Sequence, residues 1–181
     1  MDILSHGLYG GIAFGRKSKQ SFWWSFFFGM APDLFSFGLY TIGTWVGFFD
    51  HPDWRLGRHV DPNQIPSFVY TLYNVTHSFI IFLVIFFLIW LILRKPLWVM
   101  ASWGVHIIFD IPTHSTLFFP TPFLWPISNF HINGRAWNHL DIFLPNVALL
   151  IGLYVWFFVI KPRRMAHTMS ESTLQKQKKV L

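Results

Sequence analysis

The chain has 181 residues, of which 53% are hydrophobic, 20% aromatic and only 12% charged, about half the charge of an ordinary soluble domain. Its 22 Phe and 10 Trp and mean hydropathy of +0.42 exceed what one water-soluble core of this size covers. The composition therefore excludes a soluble globular domain and predicts an integral membrane protein, all-α and single-domain. With no Cys in the sequence, disulfide scaffolds and thiolate metal sites are excluded as well.

The N-terminus carries Asp2 where a signal peptide carries basic residues, and no small-residue cleavage site follows. The stretch from Ile3 to Phe14 is apolar but shorter than the ~20 residues a span needs. Gly7 and Gly11 stand in it at small-xxx-small spacing, which lets a neighbouring helix come close. A short helix tucked against a bundle is predicted. Four longer apolar segments follow: Ser21 to Phe49, interrupted at Ala31-Pro32-Asp33; Pro66 to Leu93; Leu97 to Ile111, ended by Pro112; and Asp141 to Ile160. The expected fold is a polytopic bundle of about four transmembrane helices over residues 1–164. A polar, disordered cytoplasmic tail is expected over 165–181.

If each segment crosses once, Arg16, Lys17, Lys19, Arg94, Lys95, Lys161, Arg163, Arg164, Lys176, Lys178 and Lys179 fall on one side. Only Arg55, Arg58 and Arg135 fall on the other. That bias predicts a bacterial inner (plasma) membrane protein with a cytoplasmic C-terminus and both long loops outside. It also accounts for the net charge of +6 without nucleic acid, so no nucleic-acid partner is expected.

Ionisable groups within spans are costly and mark function. His6 lies in the short helix, Asp33 follows Pro32, His77 lies in Thr76-His77-Ser78, and His106 and Asp110 share one helical face. Imidazole nitrogen and carboxylate oxygen are what a divalent ion, zinc or manganese, takes where no thiolate is offered. His6, Asp33, His77, His106 and Asp110 are thus the expected metal residues, in one closed-shell site or a two-metal clamp. Asp33 or Asp110 is the expected general base. Each residue also has a plainer use: a packing histidine, a cap on the broken helix, a structural His–Asp hydrogen bond or proton relay.

In order, these motifs resemble a known family, the membrane-bound, metal-dependent hydrolases described as LexA-binding and inner-membrane-associated. Ser5-His6-Gly7-Leu8-Tyr9-Gly10 is similar to its opening Thr-His-x-x-x-Gly helix, and Pro32-Asp33-Leu34-Phe35 to its Pro-Asp-x-Asp. Thr76-His77-Ser78 matches its Thr-His-Ser. His106 to Asp110, leading to Phe123-Leu124-Trp125-Pro126-Ile127, is similar to its His-x-x-x-Asp helix and Pro-rich aromatic loop. The resemblance spans His6 to about Ser128 and implies metal-dependent hydrolysis. The chain departs from the pattern at Phe35, in place of the second carboxylate, and over Tyr70 to Val75, which lacks the family's His-Arg. His114 is a local substitute, and an inactive scaffold is the alternative outcome of those losses.

The outer loops hold His51, Asp53, Arg55, Arg58, His59 and Asp61, and then His131, Asn133, Arg135, Asn138, His139 and Asp141. His114 and Arg135 are the expected substrate-binding residues, Arg135 or Arg58 gripping an anionic headgroup with its planar fork. The expected activity is hydrolysis of an ester or phosphoester of a lipid or other amphiphile by a metal-activated water, in a pocket lidded by the loop from Phe118 to Trp137. Membrane lipid and a small-molecule or lipid substrate are the expected partners. The alternatives are a transporter or ion carrier using the same residues, or a non-catalytic membrane scaffold.

Overall fold

The computed structural model describes residues 1–50 and 64–162. Arg55, Arg58 and most of the first outer loop, and the tail reading over 165–181, lie outside the described residues. Among the described residues all regular elements are helical.

Helix α1 (Ile3–Phe14) begins where the Asp2 carboxylate accepts from the Ser5 amide at 2.9 Å, satisfying one of the free N–H groups of the first turn. Ser18 does the same for α2 (Lys19–Asp33), accepting from Ser21 at 3.0 Å. The short turn between them makes α1 and α2 an antiparallel pair. The two backbones touch at Gly29, where a Cβ would stand 2.5 Å from the His6 carbonyl oxygen. Only glycine permits that approach.

Pro32 supplies no N–H, so the bonding pattern slips rather than stops. A π-helical turn, Leu34–Gly38, carries the chain into α3 (Leu39–Trp45), and Ser36 Oγ donates to the Pro32 carbonyl at 2.8 Å. The predicted interruption is thus a shift of register within one helical run.

The second apolar segment is divided in a way its composition does not announce. Helix α4 (Ser67–Thr76) and helix α5 (Phe79–Leu93) meet at a 58° bend. Ser78 Oγ caps α5 by accepting from Ile81 at 3.1 Å. Two groups that a continuous helix would pair find other partners. The Phe79 amide donates to the Phe123 carbonyl at 2.9 Å, and the Trp103 indole N–H to the Thr76 carbonyl at 2.5 Å. Buried backbone polar groups need such partners.

A 3₁₀ turn (Trp98–Met100) leads into α6 (Ala101–Thr113). Pro112 sits inside its last turn, and the helix ends two residues beyond the predicted Ile111. Thr113 Oγ1 donates to the Phe109 carbonyl at 2.8 Å and holds that turn closed. After a long loop, α7 (Leu140–Tyr154) continues as a π-helical stretch, Val155–Ile160.

That last run, Leu140–Ile160, has 21 residues and is the one continuous helix among the described residues long and apolar enough to cross a membrane. The bent α4–α5 pair meets the same criterion jointly. Helix α5 is apolar on every side yet buries only Phe82, a pattern that suits hydrocarbon rather than water surroundings. Two apolar clusters flank the interior. One joins Tyr40, Ile65, Val69, Tyr73 and Phe119; the other joins Met1, Tyr9, Ile12 and Leu150. Between them α1, α2, α4 and α6 enclose a polar centre.

Candidate metal centre

The centre is assembled from helix positions made special by the breaks just described. Asp33 is the last residue of α2, His77 caps the end of α4, and His106 and Asp110 lie one turn apart on α6. Asp33, His77, His106 and Asp110 each bring one donor atom into a group in which all lie within 4.8 Å of one another, and this cluster could hold a metal ion. The side chains of His77, His106 and Asp110 have no exposure, and that of Asp33 has 15%. Asp33 is therefore the face of the cluster that meets anything arriving from outside.

The proton positions follow from the neighbours. His106 Nδ1 lies 2.7 Å from the Gly29 carbonyl oxygen, and His77 Nδ1 lies 3.2 Å from that of Tyr73 and 3.0 Å from Thr76 Oγ1, whose own hydrogen goes to the Leu72 carbonyl. A carbonyl oxygen only accepts, so each Nδ1 carries a hydrogen, and either ring, when neutral, presents its lone pair at Nε2. Those two Nε2 atoms face one another at 3.0 Å. Asp110 Oδ2 lies 3.0 Å from His106 Nε2 and 3.4 Å from His77 Nε2, while Asp33 Oδ1 lies 3.4 Å from His77 Nε2 and 3.8 Å from His106 Nε2. Asp110 Oδ2 is buried and receives no hydrogen bond. Converging lone pairs without a donor among them repel, unless a cation lies between.

The spacings suit that cation. A tetrahedral ion with bonds of about 2.0–2.2 Å holds its donors about 3.3–3.6 Å apart; the separations that involve an imidazole run from 3.0 to 3.8 Å, and the whole group lies within 4.8 Å. The carbonyl partners on both Nδ1 atoms are the outer hydrogen bonds that ordinarily fix a metal-binding imidazole. The donor set, two nitrogens and two carboxylate oxygens, suits zinc or manganese alike.

The remaining expected residues lie around this group. His6 Nε2 is 2.8 Å from Asp110 Oδ1, the oxygen turned away from His77 and His106, and its ring stacks on that of His106 with centroids 3.6 Å apart. His114 Nε2 lies 3.4 Å from the same Oδ1. The Met1 amine also meets Asp110 Oδ1 and lies 3.1 Å from His114 Nε2. Arg135 stands apart in the outer loop, where its Nε pairs with Asp141 Oδ2 at 2.6 Å, both side chains more than half exposed.

Several supporting groups carried no sequence signal of chemistry. Tyr73 stacks on His77 with centroids 3.8 Å apart, and its hydroxyl donates to the Phe119 carbonyl at 2.9 Å. His114 Nδ1 lies 2.9 Å from that carbonyl as well. The loop between α6 and α7 is thereby tied down beside the cluster, with Phe119 buried against Phe37, Tyr70 and Tyr73. Gly29 matters through its carbonyl alone. Spacing from Thr-His-Ser could have exposed the break at His77, since Ser78 stands three residues before an amide it caps.

The chain matches no known family model, no curated protein and no solved structure.

Proposed function

We propose that this protein is a polytopic membrane hydrolase whose centre holds a divalent metal ion and cleaves an ester or phosphoester of an amphiphile. The resemblance of its motifs to the membrane-bound, metal-dependent hydrolases supports the same reading. The observation that carries it is the pair of imidazole lone pairs facing at 3.0 Å, with each Nδ1 committed to a backbone carbonyl. When bound, such an ion lowers the pKa of a coordinated water toward neutrality and polarises the scissile group.

The protein's own residues divide the remaining work. Asp110 is unexposed, with Oδ1 taken by the Met1 amine and His6 and Oδ2 facing His106, so its role is to hold charge. Asp33 is partly exposed at the edge of the cluster and is the carboxylate placed to accept a proton from a water entering there. His77 and His106 are fixed in one tautomer by Tyr73 and Gly29. The loop over Tyr73 and His114 keeps bulk water off the buried side.

Around the site, the four apolar segments are taken to lie in the bacterial inner membrane, with the basic turns and the C-terminus in the cytoplasm. Substrate then arrives as a lipid or similar amphiphile, its polar head presented to Asp33. Elemental analysis of the purified protein, followed by turnover of a panel of aryl esters and aryl phosphates, tests the proposal. About one or more equivalents of zinc or manganese, with turnover abolished by chelation and restored by the metal, is the expected result. Protein free of metal after purification, and unable to take up zinc or manganese, would leave a proton between the two imidazoles and remove the hydrolase reading.

A further inference from the structure

A groove of about 480 Å³ opens between the α1–α2 turn and the end of the last helical run. The turn and α2 contribute Arg16, Lys19, Phe22 and Trp23 to its lining, and the last run contributes Tyr154 and Phe158. The Tyr154 hydroxyl donates to the Leu8 carbonyl at 3.2 Å and holds that run against α1. Phe22 and Phe158 meet edge to face, with centroids 6.3 Å apart, while Trp23 is 63% and Phe158 48% exposed. Arg16 Cζ sits 4.1 Å and Lys161 Nζ 5.8 Å from the centre of the Phe157 ring, so two cations gather at one aromatic ring. Among the described residues the carboxylates of these helices stand at the opposite ends: Asp2 opens α1, Asp33 closes α2 and Asp141 lies in the first turn of α7. None of them neutralises Arg16, Lys19 or Lys161. The groove is also remote from the metal centre, since Gly15 lies nine residues, about 14 Å of helix, beyond His6 on α1.

We propose that this groove binds one anionic phospholipid, its phosphate held by Arg16 and Lys19 and its acyl chains laid along Phe22, Trp23 and Phe158. The proposal rests on the membrane placement given above and is independent of the metal centre. Charge selects the headgroup. A zwitterionic headgroup brings its own cation toward side chains whose charge is already uncompensated. A phosphodiester without one supplies the missing negative charge, and the planar fork of Arg16 can meet two of its oxygens. The aromatic walls decide against a free anion, because exposed rings beside the cations offer contact that only acyl chains use. Basic pockets between helices at the cytoplasmic side of a membrane take anionic headgroups in this way. A lipid seated here ties the α1–α2 turn to the end of the last run and leaves the opening at Asp33 clear for substrate.

The test uses the full chain in detergent, with bound lipid counted by native mass spectrometry during titration with phosphatidylglycerol or with phosphatidylcholine of the same acyl chains. The wild type should hold one phosphatidylglycerol at least about tenfold more tightly than phosphatidylcholine, at about fivefold for each cation that meets the headgroup. Arg16→Gln and Lys19→Gln should each lose about fivefold, and the double variant should bind the two lipids alike. Arg94→Gln with Lys95→Gln removes the same charge from another basic turn and should keep the preference. Equal binding of the two lipids by the wild type overturns the site. A preference that survives loss of Arg16 and Lys19, or that falls as far in the Arg94 and Lys95 control, also overturns it. Displacement of the lipid by glycerol phosphate assigns the groove to a soluble phosphate ester, and displacement by a polyglutamate peptide to an acidic protein; either result overturns the lipid. Release of the chain from membranes by alkaline carbonate removes the membrane placement and this proposal with it. Retention in the membrane without a lipid preference overturns this proposal alone.

Discussion

Gly29→Ala tests whether backbone contact between α1 and α2 sets the geometry of the centre. The added Cβ would stand 2.5 Å from the His6 carbonyl oxygen, 3.0 Å from the His6 carbonyl carbon and 3.1 Å from Gly7 Cα. All three are backbone atoms, so no side chain can swing aside. An ordinary carbon–oxygen contact is about 3.3–3.6 Å, so α1 must retreat from α2 by about 0.8 Å or more. His6 Nε2 is 2.8 Å from Asp110 Oδ1, and a shift of that size takes it beyond hydrogen-bonding reach. The carbonyl that holds His106 Nδ1 at 2.7 Å belongs to residue 29 itself and is displaced too. Overpacking of this kind costs about 1–3 kcal/mol, and loss of the outer hydrogen bonds of a metal ligand typically costs about 10–100-fold in affinity. Thermal unfolding in detergent, followed by tryptophan fluorescence, and zinc competition against a chromogenic chelator read the two effects separately. Gly152→Ala, where a Cβ meets nothing within 4 Å, is the control that should change neither. Wild-type zinc affinity in Gly29→Ala would refute the claim that this contact positions His6 and His106.

Asp110→Asn keeps the shape of the side chain and removes its charge, while His106→Ala removes a donor outright; each should abolish stoichiometric zinc or manganese, read by elemental analysis. Arg135→Ala should leave metal content unchanged and shift stability by about 0–1 kcal/mol, because its partner Asp141 and Arg135 are both well exposed; a loss of turnover at low substrate, with kcat retained, would assign Arg135 to the substrate. In this thiol-free chain, a cysteine placed at exposed Asn138 should react with an impermeant reagent added to intact cells, and reaction only after lysis would reverse the orientation.

Much of the centre was legible because ionisable residues are rare in the apolar segments and periodicity is simple. His106 and Asp110 at i,i+4 had to share a face, and Pro32 before Asp33 had to disturb its helix. Ile3 to Phe14 was recoverable from the apolar run and its flanking Asp2 and Gly15. The bend at His77 left only the capping Ser78 as a sign, because Pro66 to Leu93 contains no internal proline or glycine and the rest of its cause lies in tertiary partners. Those partners, the Phe123 carbonyl and the Trp103 indole, are distant in sequence from Phe79 and Thr76. The role of Gly29 was hidden for a related reason: a backbone carbonyl has no residue type to betray it. The ion pair of Arg135 with Asp141, six residues on, was not read from the sequence.

The bend between α4 and α5 also sets an order of events during synthesis. On the proposed membrane reading, residues 67–93 would reach the bilayer before Trp103 and Phe123 have been made. Until then the Thr76 carbonyl and Phe79 amide can be satisfied only within their own segment, as one straight helix, since hydrocarbon offers no water to replace the bond. Bending waits for the chain to extend past residue 125, where the Trp125 carbonyl receives Ser78 Oγ. On the proposed reading, His77 therefore joins Asp33, His106 and Asp110 only after all of α6 and the first half of the loop that follows it are in place, and metal loading would be a late step.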